Sequence, residues 1–236
     1  MHLRRRQLSL ALLGLPLAGC AYRPLPVLPT QAAAAPASIP PWRPLATGQR
    51  WTYRKYNGFN AELLATEEHE VVAIEPLVRI RQRNAATSAV QEEVQLVGGR
   101  LLQRDPAWDF VQNYDPSLPL WPAKLAPGTR NVFWGKYRID GFSFPYWINQ
   151  TTQVRGWETV TVPRGRMLTL RIEHLIRIEH HESHRIETTR RDTLWLAPEI
   201  GRWVAREISG RYIVNGGDGA YQGLEAHDRW ELVSWT

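Results

Sequence analysis

The sequence predicts an all-β protein: a curved antiparallel sheet or partly open half-barrel, set behind an export signal and a disordered tether. Three observations carry this. From Gln49 onward apolar and polar residues alternate with period two, the habit of strands with one covered and one wet face. Glycine and proline breakers separate the alternating runs. Eleven tryptophans lie in the 217 residues from Cys20 onward, a large apolar area for a chain of this size.

Arg4, Arg5 and Arg6 precede a short apolar run, Leu8 to Leu17, which is too short to span a bilayer and has the layout of a secretory signal. Leu17-Ala18-Gly19-Cys20 resembles the lipobox of bacterial lipoproteins, in which the cysteine receives lipid and becomes the first mature residue. The resemblance implies a signal over 1–19, lipidation at Cys20 and a stable membrane anchor, since several acyl chains hold where one does not. Ala21, in place of an aspartate after the cysteine, implies the outer membrane. Residues 21–44 hold seven prolines and an alanine run, a composition with little to bury, and read as an extended tether.

Without the signal's arginines, 26 basic residues face 23 acidic ones, about +3 in all, too mild to argue for nucleic acid. Cys20 is the sole cysteine, which excludes a disulfide, a thiolate metal site and a cysteine nucleophile.

The β domain is placed at 45–236. Val78 and Ile80 interleave with Arg79, Arg81 and Arg83; Val90 and Val94 with Gln91, Glu93 and Gln95; Leu170, Ile172, Ile176 and Ile178 with Arg171, Glu173, Arg177 and Glu179. Gly98-Gly99 reads as a hairpin turn. Ala61–Glu70 is rich in helix formers but runs into Val71-Val72, so strand and a short helix both stay open. Asp105–Pro127 reads as a long crossing loop. An internal repeat is visible: Leu45-Ala46-Thr47-Gly48-Gln49-Arg50 returns as Leu125-Ala126-Pro127-Gly128-Thr129-Arg130. A tryptophan and a proline precede each copy, and an aromatic strand follows it. The halves form either one continuous sheet or two.

Val160-Thr161-Val162-Pro163-Arg164-Gly165 followed by Trp195-Leu196-Ala197-Pro198-Glu199-Ile200-Gly201 resembles a β-rich domain of unknown function in bacterial envelope proteins. Arg164, Met167, Glu199 and Ile200 depart from its pattern, and the likeness spans about Leu118 to Ser209. It implies no catalytic residue. The architecture is also similar to the half-barrel of periplasmic lipoprotein carriers.

Trp51, Trp134, Trp157, Trp195 and Trp203 are expected either to pack the core or to line an apolar groove. His180 and His184 flank a hairpin tip and are weak metal candidates; an exposed polar tip is the plainer reading. Arg79, Arg81, Arg83, Arg171, Arg177, Arg185, Arg190 and Arg191 could form a basic face, though interleaved glutamates favour a cross-paired surface. No phosphate loop, nucleophile elbow or calcium loop occurs, and no cofactor is called for. The expected protein is a non-catalytic lipoprotein on the periplasmic face of the outer membrane. It holds a lipid-like ligand in the groove, or acts as a scaffold that binds an envelope protein through a sheet edge.

Overall fold

A computed structural model describes residues 24–38, 40–216 and 219–236. The strands in chain order are β1 (Thr30–Ala32), β2 (Arg50–Asn57), β3 (Leu63–Ala73), β4 (Val78–Asn84), β5 (Val90–Gln95), β6 (Leu101–Asp105) and β7 (Gln112–Pro119). They continue as β8 (Arg130–Ile139), β9 (Tyr146–Val162), β10 (Gly165–Ile178), β11 (Arg185–Ala197), β12 (Arg202–Gly216), β13 (Gly219–Leu224) and β14 (Asp228–Trp235).

From β2 to β12 each strand pairs antiparallel with the next. The other side of β12 takes β13 at its far end and β14 nearer its start, and β14 returns to β2, from Asp228 opposite Asn57 to Trp235 opposite Trp51. The result is a closed barrel of 12 strands, not the partly open half-barrel expected from sequence. Local alternation cannot reveal closure, because the seam joins residues at opposite ends of the domain.

Other expectations change too. Residues 24–44 do not form a free tether from Pro24 on. Leu25 N–H donates to Gly58 O, Arg229 Nη1 donates to Pro26 O at 2.7 Å, Leu28 is buried, and β1 adds to β9 at Glu158–Val160. The ambiguous stretch after Ala61 is strand β3, and the expected crossing loop contains β7.

The repeat marks a real correspondence. Gly48 and Gly128 both adopt left-handed φ, +87° and +86°, a conformation natural to glycine. Gly48 N–H donates to Val71 O at 2.8 Å and Gly128 N–H to Val154 O at 2.9 Å. The copies lead into β2 and β8, six strands apart, so two six-strand halves make one continuous barrel. The tryptophans ahead of them, Trp42 and Trp121, touch with ring centres 5.4 Å apart.

The outer wall is charged. Arg81 and Arg50 hold Glu70, Arg83 holds Glu68, Arg79 holds Glu92, and Arg177 holds Glu187, all within 2.9 Å. Such cross-strand pairs add little stability each but favour one register. A barrel that crosses a membrane turns an apolar band outward; this one turns ion pairs outward. Of the expected basic face, Arg79, Arg81, Arg83 and Arg177 sit in these pairs, Arg171 pairs with Glu158 and Glu173, Arg185 pairs with Glu182, Arg191 is exposed, and Arg190 points inward and is buried.

Candidate functional site

The lumen is packed at both ends by apolar clusters, one around Trp51, Tyr53, Ile200 and Trp203, the other around Leu102, Tyr137, Ile148 and Ile178. Between them runs a chain of buried polar side chains. Arg202 donates twice to Glu93, at 3.2 and 2.9 Å, and its Nη2 donates to His69 Nδ1 at 3.2 Å. Arginine cannot accept, so His69 Nδ1 carries the lone pair and Nε2–H donates to Glu67 at 3.1 Å. Trp230 Nε1 donates to the same carboxylate at 2.9 Å. Arg206 grips Asp192 with Nε and Nη2, the closest contact being 2.6 Å. Gln82 and Gln95 complete Glu93.

Electrostatics match this geometry. Burial drives the His69 imidazole down and the Arg202 guanidinium adds to the effect, so the ring is neutral. Burial raises the Glu93 carboxyl, but Arg202 more than offsets it and the group lies below the ordinary range. Burial lifts Asp105 above its ordinary value.

A cavity of about 160 Å³ opens beside this chain, with Lys55, Gln82, Asp109, Arg190, Trp203 and Trp230 in its wall. Ordinary ligand pockets measure roughly 300–1,000 Å³ and are mostly apolar. The turn between β6 and β7 plugs the lumen above it: the Arg190 guanidinium lies 3.4 Å from the Trp108 ring centre, and Arg190 Nη1 donates to Ala107 O. Trp108 Nε1 in turn donates to the Tyr114 hydroxyl at 3.0 Å. An open depression of about 590 Å³ on the outer wall is lined by Arg79, Arg104 and Arg138 with Leu77, Val94 and Tyr114.

These groups bind one another. Both His69 nitrogens are occupied. His174 is fully enclosed, with Nδ1 2.9 Å from the Thr152 hydroxyl. Among the described residues no group of three or more His, Cys, Asp or Glu side chains is placed to hold a metal ion. His180 Nδ1 accepts the Glu182 N–H, and Glu182 is paired with Arg185 at 2.8 Å, which accounts for the hairpin tip with His184 beside it.

Cys20 lies outside the described residues. The five tryptophans do not line one groove. Trp51, Trp157, Trp195 and Trp203 belong to the buried core, with Trp51 Nε1 on Ile200 O and Trp195 Nε1 on Glu158. Trp134 is 67% exposed on the outer wall beside Trp147. Glu93 and Arg202 escape a sequence reading because β5 is reversed: Gln91, Glu93 and Gln95 share the lumen face, while Val90 is exposed. Arg202 and Arg206, one at each end of the apolar run Trp203-Val204-Ala205, are the available signal.

The fold thus defines a class, a closed up-and-down β-barrel with a charged outer wall and a plugged, polar-cored lumen. Two solved structures are similar to it in fold. One is a lipoprotein candidate from Parabacteroides distasonis (TM-score 0.52, 14% identity, covering 82% of this chain and 97% of that one). The other is an exported-protein candidate with a YmcC-like fold from Bacteroides fragilis (TM-score 0.53, 15% identity, covering 83% and 98%). No family model and no curated protein matches the chain.

Proposed function

We propose that the protein is a non-catalytic lipoprotein, anchored through Cys20 on the periplasmic face of the outer membrane. There it serves as a scaffold that takes up an extended segment of an envelope protein along β13. The carrying observation is the edge itself. Closure removes the edges of the barrel strands, yet β13 pairs with β12 alone among the described residues and leaves a six-residue edge. Its Tyr221 and Leu224 are exposed. An edge without a covering element is a template for strand addition, where main-chain bonds give affinity and side chains give specificity. The sequence supports the anchor, and the likeness to a lipoprotein candidate and an exported-protein candidate agrees with an envelope setting. The small polar cavity speaks against a lipid-like ligand, and the mutual saturation of the buried acids and histidines speaks against catalysis.

The test is a photo-crosslinking residue at Gln222 in membranes. We expect one adduct with an envelope protein, lost in Tyr221→Lys/Leu224→Lys, because edge lysines block strand pairing. No adduct, or one indifferent to the lysines, overturns the scaffold reading. Palmitate labelling of wild type but not Cys20→Ser checks the anchor separately.

A further inference from the structure

Every turn from the β2–β3 hairpin through the β10–β11 hairpin that follows an odd number of strands lies at one end of an up-and-down barrel. Gly58, Phe110, Phe142, Phe144 and His181 therefore share one rim. Three of them are exposed aromatics: Phe144 is 73% exposed, Phe110 47% and Phe142 42%. Phe110 and Phe142 both pack on the His181 ring, at 4.8 and 5.2 Å, so the patch is ordered rather than a scatter of loose side chains.

The chain enters at this same rim. Leu25 N–H is bound to Gly58 O, and the segment then runs toward the opposite end, where β1 joins β9. Five residues separate Cys20 from Leu25, at most ~18 Å of fully extended chain. With 12 strands at ordinary spacing and tilt, the barrel is roughly 24 Å across. A lipid on Cys20 therefore cannot let the barrel stand off by more than its own width. The β2–β3 and β8–β9 hairpins lie six strands apart, on opposite sides of the rim. Leu25 and the aromatic patch are thus two separated points on one face.

We propose that this rim is a bilayer-docking face: with the Cys20 lipid inserted, Phe110, Phe142 and Phe144 sink into the headgroup region of the same leaflet, and the end bearing Trp42 and Trp121 points away. This rests on the lipidation of Cys20. Aromatic rings suit the interface because they bury apolar area at little cost in conformational entropy. Once the anchor holds the rim at the surface, each ring enters the lipid from a short distance rather than from bulk solution.

The test uses the full lipidated protein in phosphatidylethanolamine/phosphatidylglycerol vesicles. Lipidation blocks the Cys20 thiol, so Phe144→Cys and Glu199→Cys each supply a unique site for an environment-sensitive fluorophore; Glu199 is exposed at the opposite end. We expect a blue-shifted label at 144, quenched several-fold more by spin-labelled lipid than the label at 199. Equal, weak quenching at both sites, in protein that floats with the vesicles, overturns the docking face and leaves the anchor intact. Protein that does not float overturns the anchor, and the docking face falls with it.

Discussion

Arg202 and Glu93 stand 109 positions apart in sequence and meet where both are almost wholly buried. Removing one partner strands the other's charge, so Arg202→Met destabilises by about 3–5 kcal/mol. Arg202→Met/Glu93→Leu recovers most of the loss, as urea midpoints will report. His174 supplies a pH-dependent prediction. Burial pushes its imidazole from the ordinary 6.5 to about 4. Between these values the unfolded chain binds a proton that the folded chain refuses, so stability is full above pH 6.5 and falls as pH drops toward 4, by on the order of 3 kcal/mol. His174→Gln removes this dependence; the stability gap between wild type and variant, measured by denaturation across that window, narrows as pH falls. At this scale the sequence was only partly legible. Lysine, arginine and glutamate ordinarily mark the wet face of a strand, and that rule holds for Arg79, Arg81 and Arg83. It fails for Glu93 and Arg202, which neutralise each other in the lumen.

The strands themselves were largely readable, since period two survives wherever one face is apolar and the other ion-paired. The N-terminal segment was not, because proline-rich composition reports what a segment lacks and not the surface waiting for it. Leu28 is 3% exposed against the core, and Ala33 N–H donates to Trp157 O. A domain that starts at Pro41, inside the stretch that the sequence reads as tether, uncovers that surface. Leu28→Ala is expected to cost about 2–3 kcal/mol, and the Pro41 start more, relative to a domain that starts at Pro24; urea unfolding of the three proteins checks this. Equal midpoints would mean the segment only lies on the barrel without stabilising it.

For the molecule as a whole, the repeat at Leu45 and Leu125 was the best sequence clue to architecture, and it left one sheet and two equally open. What decides between them is the meeting of β14 with β2, written in two octads with no local signature of each other. That seam also sets an order of events. For an exported chain threaded N-terminus first, β2 is among the earliest strands to arrive, and Asp228–Trp235 is the last of the barrel to follow. Throughout delivery the growing sheet therefore carries β2 as a bare flank, with Trp51 and Tyr53 still uncovered. Safe arrival becomes a matter of timing: the interval between first strand and last is the interval in which that flank is open to pairing with another chain.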